Sequence, residues 1–404
     1  MSNWFLLLAI SSQLLTLPRA LVFSNDFHFE YYSQSRHRWL IPEQHYLQEP
    51  NANGSLKLVA IGGGTGLSSL LAGLKRFVGE RSEELWIDSL SAIVTVSDDG
   101  GSSGRLREEL QMLPPGDIRN CMIALSEDST LLARLFRYRF RGSGDLAGHS
   151  FGNLFLAALT DVTGDFVEAV RLSSEVLASK GHIFPATISD VQLMAELADG
   201  REVHGETQIT ASRSRIVRLR LVPEECQPLP EALEAIRNAD VITIGPGSLY
   251  TSIVPNLLVQ GVADAIGAAR ATKIFIGNLM TQPGETDGYG FWEHLNAVRN
   301  YAPQIQFDYA IVNDRSISEQ QGELYRADGA DQILLEGEAI APRFDSSIEI
   351  VCADLLDESE MVRHNSKRLA QIVIACAASD RSRRLAAATS LSQNTPLDAI
   401  NLGQ

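Results

Sequence analysis

Short apolar runs along the chain alternate with segments in which apolar residues recur at helical spacing. Residues 58–61, 92–96, 240–244 and 273–277 form such runs, which are typical of parallel strands buried on both faces. After the first run, apolar residues within 67–77 recur every three or four positions, which predicts a helix. Strands that alternate with helices indicate an α/β fold. We therefore predict a Rossmann-like, three-layer parallel sheet with helices on both faces.

Three parts of the chain depart from this alternation. Residues 183–222 contain short alternating runs separated by polar turns, which predict a small inserted region of β-hairpins. Residues 1–55 contain an apolar segment and a polar, aromatic linker, and residues 379–404 form a polar tail that we expect to be poorly ordered. The remaining chain, residues 56–378, is predicted to form the α/β domain that carries the insertion.

The apolar segment near the amino terminus allows two interpretations. Residues 4–24 are about long enough to span a bilayer, but Pro18 and Arg19 lie near the far end of the segment. No Lys or Arg precedes Arg19, so the charged start of a signal peptide is missing. We expect a cytoplasmic protein, and membrane association through this segment is the alternative.

Charge and composition narrow the class of protein. The chain has 34 basic and 50 acidic residues, and its net charge of −16 repels nucleic acid, so we expect no nucleic-acid partner. Apolar residues make up 45% and charged residues 21%, as in globular proteins. The four cysteines lie far apart, which argues against a zinc site and against a disulfide framework. Reduced thiols of this kind are typical of a cytosolic protein.

Two glycine-rich turns follow predicted strands and precede predicted helices. Residues 62–66 are Gly-Gly-Gly-Thr-Gly, and residues 245–248 are Gly-Pro-Gly-Ser. Glycine lets the backbone approach a ligand, and the first N–H groups of the following helix favour phosphate. The first turn has the spacing of neither a dinucleotide fingerprint nor a P-loop. If the turns face each other at the switch point of the sheet, the two helix starts would hold a diphosphate or two separate phosphates.

A third segment with candidate chemistry follows the second predicted strand. Residues 97–107 are Ser-Asp-Asp-Gly-Gly-Ser-Ser-Gly-Arg-Leu-Arg, which holds more acids, serines and arginines than a turn requires. Asp98 and Asp99 can hold ribose hydroxyls or a Mg²⁺ ion that bridges phosphates, and Arg105 with the serines can bind phosphate oxygens. In the next turn, Asp117 can cap the helix that follows it.

Further candidates lie outside these turns. His149 and Asn153 are four residues apart, so a helix that starts at Ser150 would turn both toward a cleft, where Asn153 can bind a base or a sugar. A structural role is the alternative for His149. Tyr309 lies in a predicted strand and is either a stacking partner for a base or a core residue. Arg343 follows a proline and is a candidate for closing over a sugar or a phosphate.

The chain has no HExxH motif, and we predict no nucleophile elbow in it, although residues 100–104 and 148–152 have the spacing G-x-S-x-G. The paired carboxylates that we consider for catalysis are Asp98 and Asp99. Transfer of a phosphate-linked group requires mainly positioning, charge neutralisation and a metal. The missing nucleophile therefore does not exclude an enzyme.

Taken together, the motifs resemble the gluconeogenesis factor family, which is related to 2-phospho-L-lactate transferase. The resemblance begins with GGGTGLS, TVSDDGGSSGRLR and LPPGDIRNC, in this order. It continues through GHSFGN, IGPGSLYTS and NLMTQPGET and covers about residues 56–375. The segment Val-Arg-His before the last helix is most similar to the cyanobacterial branch, whose members can carry a membrane-spanning extension.

The resemblance implies a ligand more directly than it implies turnover. The gluconeogenesis factor branch binds UDP-sugars such as UDP-N-acetylglucosamine and supports cell shape and wall synthesis on gluconeogenic carbon sources. We therefore expect a homo-oligomeric, nucleotide-sugar-binding regulatory protein without turnover, with cell-wall synthesis or regulatory proteins as candidate partners. The alternative is a transferase, whose relatives use Mg²⁺ and a deazaflavin acceptor; Asp98 and Asp99 would then be catalytic, with Asp98 as the Mg²⁺ ligand.

The residues that we predict to contact the ligand lie in or after these motifs. They are Gly63, Gly64, Thr65, Asp98, Asp99, Gly100, Gly101, Ser102, Arg105, Asp117, Arg119, His149, Asn153, Gly245, Gly247, Ser248, Asn278, Tyr309 and Arg343. We expect the UDP-sugar as the ligand, with no further cofactor and no metal; Mg²⁺ at Asp98 is the alternative.

Overall fold

A computed structural model of the chain describes residues 21–23, 54–81, 85–127, 131–335, 348–358 and 361–393. The strands within these ranges, in chain order, are β1 (Leu21–Phe23), β2 (Gly54–Gly62), β3 (Leu85–Val94), β4 (His182–Pro185), β5 (Gln192–Leu197), β6 (Glu202–His204), β7 (Ile216–Val222), β8 (Val241–Ile244), β9 (Thr272–Ile276), β10 (Tyr309–Asn313), β11 (Glu349–Ala353), β12 (Leu356–Glu358) and β13 (Val362–His364).

Helices connect most of these strands. They are α1 (Gly64–Leu74), α2 (Gly101–Leu110), α3 (Gly116–Leu125), α4 (Leu131–Arg137), α5 (Phe151–Thr163), α6 (Phe166–Val176), α7 (Glu206–Ser212), α8 (Pro230–Arg237), α9 (Val254–Leu258), α10 (Val262–Ala268), α11 (Phe291–Tyr301), α12 (Glu319–Ala327) and α13 (Ser366–Gln393). A 3₁₀ turn, Lys75–Phe77, continues α1, and a π-helical turn, Leu249–Ile253, leads into α9.

The main sheet confirms the predicted fold class. Its eight strands have the order β1-β11-β10-β9-β8-β2-β3-β4, and every neighbouring pair is parallel. Every residue of β8, β9 and β10 is buried, although successive side chains of a strand point to opposite faces. Both faces of the sheet are therefore covered, as in a three-layer α/β fold with helices on both sides.

The strand order changes direction between β2 and β8. From β2 the chain adds β3 and β4 on one side, and it then returns to place β8, β9, β10 and β11 on the other. The carboxyl ends of β2 and β8 consequently lie side by side, with Ile61 paired to Ile244. This is the topological switch point, where open α/β sheets bind their ligands.

The predicted insertion is correct in kind but differs in its details. Strands β5, β6 and β7 form a separate antiparallel sheet in the order β6-β5-β7. His182–Pro185, however, pairs with β3 in the main sheet. Residues 209–210, one of the short runs within 183–222 that were predicted as hairpin strands, lie in α7. Ile209 is the buried residue of this helix. A two-residue apolar run does not distinguish a strand from one turn of a helix.

The chain ends also differ from the prediction. Leu21–Phe23, within the predicted extension, adds an edge strand to β11, whereas residues 1–20 and 24–53 lie outside the described part of the chain. The predicted tail begins inside α13, which continues to Gln393 and carries an ion pair between Arg384 and Asp380, one turn apart. No helix within the described ranges has the length and apolar character needed to cross a membrane. All four cysteines are buried free thiols.

A glycine allows α13 to pack closely against α1. A Cβ atom added at Gly73, near the end of α1, would lie 1.9 Å from the carbonyl oxygen of Ser366 and 2.8 Å from Cβ of Ala370. Both neighbours belong to the start of α13, and the nearer one is main chain, so neither can move without shifting the helix. The contact fixes the start of the last helix of the fold against the carboxyl end of α1.

We predict that Gly73→Ala lowers the free energy of unfolding by about 2 kcal/mol or more, because the added methyl group overpacks the α1–α13 contact. Gly322→Ala in α12 is the matched control, since the nearest atom to its added Cβ is a flexible Arg326 nitrogen at 3.1 Å. Helix propensity alone should leave the control unchanged or stabilise it by up to about 1 kcal/mol. Urea denaturation of both variants measures the difference, and equal stabilities would contradict the close packing.

Candidate functional site

A cleft at the switch point is lined mainly by main-chain and uncharged polar groups. Its lining residues come from both glycine turns, from the segment after β9 and from β13. They are Gly63, Gly64, Thr65, Gly66, Ser69, Pro246, Gly247, Ser248, Asn278, Leu279, Met280, Gln282, Val362, Arg363 and His364. None of these described residues carries a carboxylate, and Arg363 supplies a permanent positive charge. The lining therefore suits an anion.

The first glycine turn supplies N–H donors. Helix α1 begins directly after β2, and Gly64 adopts φ +61°, a conformation that favours glycine. The N–H groups of Thr65 and Gly66 lie in the first turn of α1, where no intrahelical acceptor is available. A Cβ added at Gly66 would lie 2.6 Å from the Pro246 carbonyl oxygen, so only glycine allows the two turns to approach this closely.

The second glycine turn is held by side-chain amides. The Gly247 N–H donates to Asn278 Oδ1 at 3.1 Å, and Asn278 Nδ2 donates to the Gly247 carbonyl at 2.7 Å. Gln282 Nε2 donates to Ser248 Oγ at 2.6 Å. Asn278 lines the cleft as predicted, but its amide positions the turn. Gly245 does not line the cleft. It adopts φ +84°, and a Cβ atom added to it would lie 2.8 Å from the Ile276 carbonyl oxygen.

Strand β13 closes one side of the cleft and presents Arg363. Burial lowers the pKa of His364 to about 4, so its neutral ring donates through Nε2 to the Gly277 carbonyl at 3.2 Å. The Val362 N–H donates to the Tyr325 hydroxyl at 3.0 Å. These two contacts fix the residues on either side of Arg363, whose own side chain is exposed. The sequence prediction did not include Arg363 among the ligand residues, because it used the Val-Arg-His segment only as a mark of the family.

Four of the predicted ligand residues contact one another instead. Ser102 Oγ lies 3.0 Å from Nδ1 of His149 and accepts from Nδ2 of Asn153 at 3.1 Å. Arg119 donates to Oδ1 of Asn153 at 3.0 Å and to Oγ of Ser150 at 2.6 Å. Burial lowers the pKa of both His149 and Arg119. The predicted helix start at Ser150 is confirmed, but the Asn153 amide is engaged within this network.

The motif predicted as a turn after β3 is half loop and half helix, because α2 begins at Gly101. Asp98 Oδ1 accepts from the Gly100 N–H at 2.8 Å. Asp99 Oδ1 accepts from the N–H of Thr207 at 2.9 Å and from its hydroxyl at 2.7 Å, so Asp99 fastens α7 of the insertion. Arg105 donates to the Ala147 carbonyl at 2.7 Å and thereby holds the loop before α5.

Asp117 does not cap its own helix, which corrects the prediction. Helix α3 has no side-chain cap, and Asp117 Oδ2 accepts from the Gly64 N–H at 2.7 Å. Gly64 opens α1, so its N–H has no acceptor within that helix. The carboxylate of the third motif therefore stabilises the helix start of the first motif.

Two further acids complete a cluster that the sequence did not indicate. Burial raises the pKa of Asp117 to about 6, that of Glu285 to about 7 and that of Glu206 to about 9, and Asp98 adds repulsion at Asp117 and Glu206. Glu285 Oε1 accepts from the Thr210 hydroxyl at 3.0 Å, and its buried Oε2 has no partner. Helix α7, which carries Glu206 and Thr210, therefore lies against this acidic side of the site.

The acidic side does not form a complete metal cage. Among the described residues, no group of three or more His, Cys, Asp or Glu side chains is arranged to hold a metal ion. Mg²⁺ usually takes one or two carboxylates and completes its shell with water and substrate phosphates. Asp98 fits that use, because its hydrogen bond to Gly100 engages Oδ1 and leaves Oδ2 for an ion.

Two predicted ligand residues are not part of the cleft. Tyr309 opens β10 and pairs with Ile274 and Glu349 at the amino ends of the strands, away from the cleft at their carboxyl ends. Its ring is fully buried, and Arg383 donates to its hydroxyl and lies 5.3 Å from the ring centroid. Tyr309 is therefore a core residue, which was the alternative. Arg343 lies outside the described residues.

The fold and the cleft define an α/β protein whose switch point carries a cleft that suits an anion. Residues 58–356 match the family model of the 2-phospho-L-lactate transferase CofD. A putative gluconeogenesis factor of Nostoc is 48% identical over 321 residues, which cover 79% of this chain and 68% of the relative. The gluconeogenesis factor of Bacillus subtilis is 43% identical, over 79% of this chain and 97% of the relative. The chain belongs to the gluconeogenesis factor family.

A solved structure agrees with this assignment. The crystal structure of a Bacillus halodurans protein, described as a member of the upf0052 family, is 42% identical and superimposes with a TM-score of 0.73. The match covers 79% of this chain and 99% of that chain. The predicted family and the predicted fold are both confirmed.

We predict that Glu206→Gln stabilises the protein at alkaline pH. Burial raises the pKa of Glu206 from 4.5 to about 9, so the proton stabilises the folded state fully below pH 4.5, and this stabilisation is lost as the pH rises through 9. Glutamine mimics the protonated form at every pH. At pH 8 the variant should exceed the natural protein in unfolding free energy by about 1–3 kcal/mol.

Urea unfolding between pH 5 and pH 9 without divalent cations measures this difference. Glu196→Gln, at an exposed position of β5, is the matched control and should follow the natural protein at each pH. A constant offset between Glu206→Gln and the natural protein over the whole range would show that Glu206 is not protonated in the fold.

Proposed function

We propose that the cleft binds a nucleotide-sugar of the UDP-N-acetylglucosamine type and that the chain is a cytoplasmic regulator of cell shape and wall synthesis without turnover of its own. The carboxylate-free lining of the cleft at the switch point carries this proposal. The names of the relatives support a role in gluconeogenic growth.

The donors in the lining suit a diphosphate. The N–H groups at the start of α1 favour phosphate oxygens, and the hydroxyls of Ser69 and Ser248 lie on the same lining. Arg363 faces this lining from β13 and can bind a phosphate oxygen through a charge-assisted hydrogen bond. The acidic cluster does not oppose such a ligand directly, because its carboxylates do not line the cleft.

One acceptor in the cleft suits the remainder of the ligand. Gln282 donates through Nε2 to Ser248, while its Oε1 is buried and has no partner. A buried carbonyl oxygen that accepts no hydrogen bond raises the free energy of the folded state. A uracil N–H or an acetamido N–H could donate a hydrogen bond to this oxygen. Gln282 therefore suits a nucleotide or an acetylated sugar, because both carry an N–H group that can donate to this oxygen.

A Mg²⁺-dependent transferase is the second candidate. The match to the transferase family model and the free oxygen of Asp98 favour it. The engagement of Asp99 with Thr207 weighs against it, because only one acid of the predicted catalytic pair then faces a ligand. The two candidates differ in whether the bound nucleotide is consumed.

We predict that the full-length protein binds UDP-N-acetylglucosamine and that Arg363→Ala weakens this binding about tenfold or more, as expected for loss of a hydrogen bond between charged groups. Arg237→Ala, at an exposed position of α8, is the matched control and should bind as the natural protein does. Calorimetric titration measures both affinities, and chromatography of the mixture should recover the sugar nucleotide unchanged.

The same titration with GDP, with and without Mg²⁺, tests the alternative. If no UDP-sugar binds and GDP binds only with Mg²⁺, the regulator hypothesis is rejected and the transferase hypothesis is favoured. In that case Asp98→Asn should abolish the Mg²⁺ dependence.

A further inference from the structure

A second groove lies between the inserted sheet and α11. Its volume is about 560 Å³, and it shares no lining residue with the cleft at the switch point. One wall is the start of β7, and the other is a single face of α11, whose lining positions 293, 296, 297, 300 and 301 follow helical spacing. Pockets of this size hold small molecules.

Three tyrosines, Tyr250, Tyr289 and Tyr301, line this tyrosine groove. The rings of Tyr250 and Tyr289 meet edge to face with centroids 6.4 Å apart, and those of Tyr250 and Tyr301 do so at 6.5 Å. Tyr250 is buried beneath the other two, which are half-buried. Tyr289 and Tyr301 therefore present ring surface on which another ring can pack.

The tyrosine hydroxyls leave donors unused. The Tyr301 hydroxyl accepts from the Leu219 N–H at 2.8 Å, so its own O–H is available to a ligand. The hydroxyls of Tyr250 and Tyr289 lie 3.0 Å apart; one donates to the other, and the acceptor retains its O–H. Burial raises the pKa of Tyr250 and of Tyr301, which keeps both hydroxyls protonated. The groove thus offers donors to a ligand rich in acceptors.

Two arginines add positive charge to the same groove. Arg215 and Arg218 line it, and neither forms an ion pair within the described residues, in contrast to Arg220, which pairs with two glutamates. Arg215 acts electrostatically on Tyr250, and Arg218 acts on Tyr301. The acid on the rim, Glu293, accepts through Oε2 from the Gly290 N–H at the start of α11. In a chain of net charge −16, these two exposed guanidinium groups give the groove a local positive charge.

We propose that the tyrosine groove is a second binding site, which takes a small phosphate monoester attached to a ring. The phosphate lies between Arg215 and Arg218, and the ring packs on Tyr289 and Tyr301. The ring belongs either to a base or to a sugar, because both present a flat or apolar face to tyrosine. The site does not depend on the ligand proposed for the cleft.

The groove is placed to influence the cleft. Tyr250 lies two residues after Ser248 of the second glycine turn, within the π-helical turn that follows it. Arg215 lies three residues after α7, whose Thr207 holds Asp99. Both segments that lead to the cleft therefore contribute to the walls of the groove, as expected of a regulatory site.

The test is calorimetric titration of the full-length protein with AMP, glucose 6-phosphate and inorganic phosphate, in the presence of saturating UDP-N-acetylglucosamine and in its absence. At least one ring phosphate should bind, and Arg215→Gln/Arg218→Gln should weaken it about tenfold or more. Arg237→Gln is the matched surface control, and Arg363→Ala reports the cleft; both should retain the binding. Hydrogen exchange on the unaltered protein should show added protection at 215–219 and 289–301.

Several outcomes would overturn this site. They are absence of binding by both ring phosphates, equal affinity for inorganic phosphate, loss of binding in Arg363→Ala, or protection confined to the glycine turns. Because the exchange measurement uses the unaltered chain, a double variant that fails to fold does not leave the question open. Binding of UDP-N-acetylglucosamine is scored separately, so the regulator proposal and the second site can fail independently.

Discussion

The direct contact between the two glycine turns is the constraint on which the site depends. Strands β2 and β8 lie side by side and end at the same level, so the turns that follow them must share the space above the sheet. A Cβ at Gly66 would lie 2.6 Å from the Pro246 carbonyl oxygen, and one at Gly247 would lie 3.3 Å from that of Gly63. Glycine at these positions lets main chain meet main chain, which leaves N–H groups to line the cleft.

The fold also keeps the positively charged groups of the cleft apart from the neighbouring acidic side chains. The cleft carries Arg363 and helix N–H groups, whereas Glu206, Glu285 and Asp98 do not line it. Asp117 stands between the two sides and caps α1 at Gly64. A protein of net charge −16 can thus present a cleft that suits an anion, because the raised pKa values of Glu206 and Glu285 reduce the negative charge near it.

The insertion takes part in both sites. Its helix α7 meets Asp99 through Thr207 and Glu285 through Thr210, and its strand β7 forms one wall of the tyrosine groove. A shift of this unit would therefore change the acidic side of the cleft and the groove together. The proposed regulatory coupling between the cleft and the tyrosine groove would pass through this unit.

The sequence by itself determined the fold class and the position of the main turns. Continuous apolar runs identify strands buried on both faces, and glycine clusters after them identify the places where the backbone must approach something closely. Gly64, Thr65, Gly247 and Asn278 were placed in the cleft by this local logic, and the family resemblance agreed with it.

Only the tertiary structure decided which distant groups meet. The pattern around Tyr309 showed that it lies in a strand, but not that it opens the strand at the end away from the cleft. Asp117 was placed at a helix start, yet its partner is the start of another helix, 53 residues away. Glu206 lies in no motif, and the segments that contain Arg363 and Glu285 gave no sign that these side chains reach the site. Periodicity reports burial along one element, whereas contacts between elements depend on strand order and helix packing, which no local pattern encodes.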